Sequence, residues 1–207
     1  MRRIAVNAEP PEPEAIAEAV EVLRAGGVVA FPTDTLYGLA VDPRSTKALE
    51  RLFTLKGRAL TAAVPLIAAD FDQALMAAEF GPRQHRVAAA FWPGPLSIVV
   101  PARRGISPMA LAGGSTVAIR VPAHGVARAL AGAFGFCVTA TSANPSGQDP
   151  PDSADGVAVA LPGVDLLLDA GRAPGGAPST IISFDNDGPI LVRAGALAWD
   201  RVIKSLQ

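Results

Sequence analysis

Helical patterns alternate with short β-type apolar runs along almost the whole of this 207-residue chain. Residues 13–25 carry apolar side chains at the i, i+3, i+4, i+7 spacing of an amphipathic helix, with a proline at the start and two glycines at the end. The run 28–31 directly behind them is apolar and is closed by a proline, which predicts a strand. Repetition of this order of helix and strand predicts an α/β fold.

The same helical spacing and the same kind of short apolar run predict the remaining elements. Further helices are predicted at 45–56, 72–78, 82–91, 126–133 and 153–160. Strands are predicted at 97–100, 117–121, 136–141, 166–169, 180–184 and 190–193. We expect a single domain over residues 1–207, built on one twisted, mixed β-sheet flanked by helices. The Pro- and Gly-rich pieces at 143–151 and 171–178 are too short for linkers, so we expect ordered loops beside a site.

Composition limits the class of protein. Half of the residues are hydrophobic, which suffices for one core, and no apolar stretch approaches the roughly 18 residues of a membrane span. No targeting segment is visible, so we expect a cytoplasmic protein without membrane contact. The net charge is −1, which means that any phosphate must be bound by locally placed Arg and Lys side chains.

Metal sites and catalytic triads have little support in the sequence. The lone cysteine, Cys137, lies in an apolar run and is expected to be a buried structural thiol. His85 and His124 stand far apart with no ligand spacing, so each is expected at the surface or at a helix cap, and no protein-bound metal is predicted. A nucleophile elbow, a P-loop and a dinucleotide-binding fingerprint are all absent. Any nucleotide site must therefore be built differently.

Cations at the ends of predicted elements are the first candidates for chemistry. Lys56 and Arg58 flank Gly57 at an exposed helix end, where an extended exit would point both side chains to one side and let them clamp a phosphate chain. The helix dipole alone also favours basic residues there. Arg120 and Arg193 each follow an apolar run in register with a buried strand, a costly place for a charge without an anionic partner. Either an internal salt bridge or an anionic ligand would satisfy them.

A polar loop at 141–147 follows another predicted strand. Its hydroxyl and amide side chains and its free backbone N–H groups could cradle phosphate or ribose oxygens. The Asn-Pro-Ser-Gly stretch within it is also simply a favourable turn sequence. The loop is therefore a candidate ligand contact that needs support from other residues.

Several motifs occur in one order along nearly the whole chain. They are FPTDTLYGL at 31–39, KGR at 56–58, FWPGPL at 91–96, AIRVP at 118–122, SANPSG at 142–147, PSTI at 178–181 and RAG at 193–195. In this order they resemble the YrdC-type threonylcarbamoyl-AMP synthases. The resemblance implies a twisted α/β domain with a concave, positively lined cavity. That cavity would bind ATP with Mg²⁺ and L-threonine and condense them with bicarbonate, releasing pyrophosphate.

The resemblance also implies two sets of binding residues. The ATP set comprises Lys56, Arg58, Thr116, Ser142, Asn144 and Arg193, with Lys56 and Arg58 as the catalytic cations. The L-threonine set comprises Thr35, Arg120, Ser179 and Ala140, the last through its backbone. The product would be the donor for N6-threonylcarbamoyladenosine in tRNA, which implies partner proteins that accept it and allows direct contact with tRNA or double-stranded RNA.

The chain departs from the family pattern after Arg58. The segment 59–64 is longer than usual and lacks a customary proline, and Ala69 stands where many members have His. We expect this segment to be mobile in the empty protein and to become ordered when ATP binds. Because the chain ends soon after Arg193, it resembles the single-domain form of the family. Two alternatives stay open: a double-stranded RNA-binding module, and a paralogue with lost or altered activity.

Overall fold

The computed structural model describes residues 1–57 and 62–207. Within these residues the helices are α1 (Pro13–Arg24), α2 (Thr46–Lys56), α3 (Phe71–Ala77), α4 (Pro82–Phe91), α5 (Gly125–Phe134), α6 (Ala154–Ala160) and α7 (Trp199–Ser205). The strands are β1 (Arg2–Ala5), β2 (Val29–Phe31), β3 (Gly38–Ala40), β4 (Leu66–Ile67), β5 (Leu96–Pro101), β6 (Thr116–Arg120), β7 (Val138–Thr139), β8 (Thr141–Ser142), β9 (Leu166–Asp169), β10 (Thr180–Phe184) and β11 (Pro189–Arg193). Each predicted helix is present, with its ends within one residue of the prediction.

The ends of α2 follow from its sequence. Ser45 caps the helix, its side chain accepting a hydrogen bond from the Ala48 N–H at 3.2 Å. Gly57 closes the helix in the left-handed conformation, with φ of 58°, which glycine adopts at little cost. The chain therefore turns sharply at Gly57, and the extended exit expected after Lys56 is wrong.

The strands form two sheets rather than the one sheet expected. The five-stranded sheet has the order β1-β9-β2-β3-β8, and the six-stranded sheet has the order β11-β10-β5-β6-β4-β7. Both contain parallel and antiparallel neighbours, as predicted. The division arises because the predicted strand at 136–141 is interrupted at Ala140, whose N–H donates to the Pro65 carbonyl at 2.8 Å. Before this break β7 pairs with β4, and after it β8 pairs with β3.

Strands β1, β3 and β4 and helix α7 lie outside the predicted set. β3 spans three residues and β4 spans two, which is too short to display a period. β3 pairs with β2 and β8, while β4 lies between β6 and β7. The seam between the two sheets is thus formed partly by elements that periodicity does not reveal.

Strands β6 and β11 occupy different places in the six-stranded sheet. β6 lies between β5 and β4, and most of its residues are buried. β11 is an edge strand paired with β10 alone, and it exposes Ile190, Leu191 and Val192. The expectation that Arg193 follows a buried strand is therefore wrong. An apolar run on an edge strand looks the same in the sequence as one in the middle of a sheet.

The buried apolar side chains form a core to which the helices and both sheets contribute. Helix α1 buries its predicted face, including Ile16, Val20 and Leu23. Cys137 is buried in the same core, as expected, and burial raises the pKa of its thiol to about 12. None of the helices in the described ranges has the length and apolar content of a membrane span.

Candidate active site

A cavity of about 370 Å³ opens at the seam between the two sheets, within the usual size range of small-molecule sites. The five-stranded sheet contributes the loop after β2 together with β3 and β8. The six-stranded sheet contributes residues of β4, β5, β6, β10 and β11. From the predicted sets, the lining includes Thr35, Arg120, Ala140, Ser142, Ser179 and Arg193. The structure thus brings the whole predicted threonine set together with two members of the ATP set.

The loop after β2 presents two threonines to the cavity. Thr33 and Thr35 line it, whereas Asp34 between them does not. The Thr33 hydroxyl donates to the Leu36 carbonyl at 2.7 Å, and its oxygen lies 3.1 Å from Thr35 Oγ1. Because a hydroxyl has one hydrogen, Thr35 is the donor in the contact between the two threonines. The Thr35 oxygen therefore keeps its acceptor lone pairs for a ligand.

Arg120 ends β6 and is paired with Asp34 behind the cavity wall. Its Nη1 lies 3.1 Å from Asp34 Oδ1, and the two side chains are only 7% and 11% exposed. The contact is electrostatic, since Nη1 and both carboxylate oxygens are buried without an aligned hydrogen bond among the described residues. Burial lowers the pKa of Arg120, Asp34 raises it, and Arg193 lowers it further. An internal salt bridge therefore answers the charge of Arg120, so its burial does not require a ligand as explanation.

Arg193 ends β11 at the rim of the same cavity. Its Nε and Nη2 donate to the Ser179 carbonyl at 3.2 and 2.7 Å, and Nη2 also donates to the Ser179 hydroxyl at 3.1 Å. A β-bulge leaves Val192 without a partner on β10 and re-aims the end of the strand. Arg193 is exposed, but partial burial of its guanidinium lowers its pKa. Within the described part of the chain, its hydrogen-bond partners are neutral atoms.

A close approach of two chain segments places Ser179 beside Arg193. A Cβ on Gly195 would lie 2.2 Å from the Pro178 carbonyl oxygen, so only glycine fits there. The N–H of Ala196 donates to the same carbonyl at 2.9 Å. The Ser179 hydroxyl also lies 3.0 Å from the Ser97 hydroxyl on β5. The PSTI and RAG motifs therefore form one unit across the sheet.

Lys56 is buried, at 4% exposure, behind the Ser142 side of the cavity. Its Nζ donates to the Ser142 carbonyl and, at 2.6 Å, to the Asn144 carbonyl. Its own carbonyl accepts from the Ser146 N–H at 2.8 Å. The exposed position expected for Lys56 is wrong, because the lysine fastens the end of α2 to this loop. Arg58 and the start of the longer segment, residues 59–61, lie outside the described residues.

Asn144 holds the same loop and does not line the cavity. Its Nδ2 donates to the Pro145 and Gln148 carbonyls at 2.9 and 2.6 Å. Its Oδ1 is buried without a hydrogen-bond partner among the described residues. The loop therefore offers Ser142 to a ligand and is held from behind by Lys56 and Asn144.

Thr116 stands apart from the other predicted ATP residues. It is the exposed first residue of β6, opposite Pro101 of β5. Arg120 ends the same strand, about 13 Å away at the usual rise per strand residue. Thr116 is not among the residues that line the cavity. The structure does not bring it to the predicted ATP site.

The two histidines have different surroundings. His85 is exposed on α4, where its ring meets Phe71 edge to face at 4.8 Å between centroids. His124 occupies the N-cap position of α5, but its side chain makes no capping hydrogen bond. Its Nδ1 is buried without a hydrogen-bond partner among the described residues. Burial lowers the pKa of His124, while Asp34 and Glu9 raise it. Among the described residues, no group of three His, Cys, Asp or Glu side chains is placed to hold a metal ion.

Sequence reasoning assigned no role to Asp34, Thr33 or Ser97. Asp34 and Thr33 lie inside the 31–39 motif. Alternation of side chains along an extended segment places Thr33 and Thr35 on the cavity side and Asp34 on the opposite side. The costly burial of Arg120 was the signal that a carboxylate had to be near. Ser97 directly follows the 91–96 motif and begins the strand predicted at 97–100, but nothing in the sequence indicated that its side chain lines the cavity.

Comparison with known proteins adds an independent line of evidence. The Sua5/YciO/YrdC family model, described as telomere recombination, matches residues 21–195. Threonylcarbamoyl-AMP synthase of Bacillus subtilis is 36% identical over 192 residues, which cover 90% of this chain and 55% of that protein. The chain thus spans about half the length of this curated relative.

Solved structures share the fold. The crystal structure of P. abyssi Sua5 complexed with L-threonine has a TM-score of 0.93 and 34% identity, covering 99% of this chain and 61% of that one. The crystal structure of E. coli YciO has a TM-score of 0.87 and 25% identity, covering 100% of both chains. These matches confirm the α/β fold expected from the motifs. With the family model matching most of its length, the chain belongs to the Sua5/YciO/YrdC family.

Proposed function

We propose that this chain is a threonylcarbamoyl-AMP synthase, which condenses L-threonine, bicarbonate and ATP to threonylcarbamoyl-AMP and pyrophosphate. One observation carries the proposal: Thr35, Arg120, Ala140 and Ser179 line the same cavity as Arg193 and Ser142. The name of the B. subtilis relative and the L-threonine complex of P. abyssi Sua5 support the choice of substrates.

The surroundings of Arg120 suit a zwitterionic amino acid. Arg120 and Asp34 together carry no net charge, so the guanidinium offers directional donors to a carboxylate without making the pocket strongly positive. The lone pairs of Thr35 suit the N–H donors of an ammonium group. Leu36 and Ile181 belong to the same lining and can contact a methyl group. L-Threonine presents all three of these groups.

The phosphates of ATP require positive charge. Arg193 supplies it at the rim, where its described partners are neutral atoms of Ser179. Ser142 adds a hydroxyl, with the ammonium of Lys56 directly behind it. Arg58, outside the described residues, is the remaining predicted cation. The described lining contains no Asp or Glu, so Mg²⁺ would enter as MgATP, with phosphate oxygens and water as its ligands.

The proposed reaction has two steps. The threonine ammonium loses a proton to solvent, and bicarbonate takes up a proton and releases water to give CO₂. The amine nitrogen bonds to the CO₂ carbon and loses a second proton to solvent, which gives the carboxylate of N-carboxythreonine. The new carboxylate attacks the α-phosphorus, the bond from that phosphorus to the oxygen bridging to the β-phosphate breaks, and pyrophosphate leaves. Negative charge builds on phosphate oxygens, where Arg193 and Arg58 would stabilise it, typically by roughly 3 kcal/mol for one well-placed donor. The buried ammonium of Lys56 would add its positive charge from behind Ser142 without direct contact. No covalent bond to the protein is needed.

Pyrophosphate release tests the proposal directly. The purified chain is incubated with MgATP and bicarbonate, with and without L-threonine, and the product mass is measured. We expect release that depends on threonine and is strongly reduced in Arg193→Ala, which removes an exposed guanidinium of the cavity lining. Arg83→Ala is the matched control, because this exposed arginine of α4 lies outside the cavity lining. Release without threonine, or no release, would instead support a paralogue with lost or altered activity.

The adenylate would be consumed by transfer to tRNA. Threonylcarbamoyl-AMP is a mixed anhydride, so an adenosine N6 amine can accept its acyl group with AMP as the leaving group. We propose that separate tRNA-modifying proteins carry out this transfer. A tRNA affinity of the chain alone that falls steeply with added salt would favour the RNA-binding alternative.

A further inference from the structure

Asp34 has a place in the site that none of the predicted roles covers. It lies between Thr33 and Thr35, which line the cavity, but its carboxylate is directed behind the wall to Arg120. The contact is 3.1 Å long, with the two side chains 11% and 7% exposed. Asp34 can therefore act on a ligand through Arg120 without touching it.

The electrostatic surroundings make this carboxylate necessary. Arg193 lies close enough to lower the pKa of Arg120, so two like charges share one cavity. Asp34 offsets that repulsion from a largely buried position, where charge interactions are strong. Arginine also has many rotamers, and a partner that restricts them before a ligand binds lowers the entropic cost of binding.

The N–H donors of Arg120 are divided between Asp34 on one side and the cavity on the other. Its Nη1 faces Asp34, sealed from solvent, while Arg120 as a residue lines the cavity. The contact with Asp34 thus leaves the rest of the planar guanidinium to meet a ligand. A carboxylate needs two parallel donors in a fixed plane, which makes the orientation of that plane decisive.

We propose that Asp34 is a positioning residue that holds the Arg120 guanidinium in the orientation that receives the carboxylate of the amino-acid substrate. The proposal rests on the proposed function, since it names how that substrate is recognised. It predicts that Asp34 matters for amino acids that carry a carboxylate and that its effect passes through Arg120.

Threonine titration of Asp34→Asn, Arg120→Ala and the double variant tests the proposal. We expect Asp34→Asn to weaken L-threonine binding about tenfold or more, raising KM for threonine and leaving kcat and KM for ATP within about twofold. In the Arg120→Ala background, Asp34→Asn should add no further loss. L-Threoninamide, which lacks the carboxylate, should bind the parent and Asp34→Asn equally.

Three results would overturn the proposal: parent-like threonine binding by Asp34→Asn, equal weakening for threonine and threoninamide, or additive losses in the double variant. If Asp34→Asn does not fold, Asp34→Glu keeps the charge and moves the carboxylate by one methylene. An unchanged threonine affinity in Asp34→Glu would overturn the positioning role. If the parent itself neither binds threonine nor releases pyrophosphate with it, the proposed function fails; if only the variants disagree, the role of Asp34 fails alone.

Discussion

Arg120 and Arg193 line the same cavity, but their charges differ in burial and in the partners that surround them. Arg120 ends the central strand β6, is buried, and faces the Asp34 carboxylate at 3.1 Å. Arg193 ends the edge strand β11, is exposed, and donates to neutral atoms of Ser179. Each arginine follows three apolar residues in the sequence. The position of the strand in the sheet, and not the local sequence, decides how each charge is satisfied.

Under the proposed function, this difference would separate two tasks within one cavity. A guanidinium paired with a carboxylate gives direction without net charge, which suits a zwitterion. A guanidinium whose described partners are neutral keeps its full charge, which suits a polyanion such as a triphosphate. The predictions below start with the contrast between the two arginines and then extend it to Lys56 and His124.

The largest expected difference is in stability. Arg120→Met should lower the free energy of unfolding by about 3–5 kcal/mol, because it leaves the Asp34 carboxylate buried and unpaired. Arg193→Met should lower it by less than about 1 kcal/mol, since an exposed guanidinium loses little when removed. Denaturant unfolding of both variants measures the contrast. Equal losses would mean that the two charges are held in the same way.

The two arginines should also differ in which ligand they bind. Arg193→Ala should weaken ATP binding by about 1.5–3 kcal/mol, the typical contribution of a hydrogen bond to a charged group. Its effect on threonine should be smaller than that of Arg120→Ala, and Arg120→Ala should in turn affect ATP less. Calorimetric titration of both ligands against both variants gives the four values. If each arginine affects both ligands equally, the cavity is not divided into two tasks.

The sequence predicted most of the periodic elements, and its family resemblance named a threonine set whose four residues all line the cavity. The helices and the longer strands carry enough residues to show a period. The 31–39, 118–122 and 178–181 motifs carry Thr35, Arg120 and Ser179 of the cavity lining. The break at Ala140 and the two-residue strand β4 are too short to produce a periodic pattern in the sequence. The division of the strands into two sheets could therefore not be predicted. The surroundings of Arg193 depend on which strand lies at the edge, which is settled only by pairing between distant segments.

Lys56 offers a third way of holding a cation, through backbone carbonyls. Lys56→Met should lower the free energy of unfolding by about 1–3 kcal/mol, because it leaves the part-buried Ser142 carbonyl and the buried Asn144 carbonyl without this donor. Hydrogen exchange at residues 142–148 should become faster. Lys47→Met is the matched control, since Lys47 is an exposed residue of the same helix. Parent-like exchange in the loop would show that Lys56 does not fasten it.

The smallest expected effect concerns His124, which lies within electrostatic range of Asp34. Burial lowers its pKa from the ordinary value of about 6.5, and Asp34 and Glu9 oppose this only in part. Above pH 6.5 both the folded and the unfolded state hold a neutral imidazole, so His124 adds no pH dependence. Below pH 6.5 the imidazole of His124 binds a proton in the unfolded state but not in the folded state.

As the pH falls from about 6.5 towards the lowered pKa of His124, the protein should therefore lose stability, with a slope of at most about 1.4 kcal/mol per pH unit. His124→Gln should remove this part of the slope, whereas His85→Gln, which replaces the other histidine of the chain, should retain it. Denaturant unfolding between pH 5 and pH 8 measures the difference. If stability falls more steeply with decreasing pH in His124→Gln than in the parent, His124 is charged in the folded protein. The Asp34 carboxylate would then interact with both His124 and Arg120, and not with Arg120 alone.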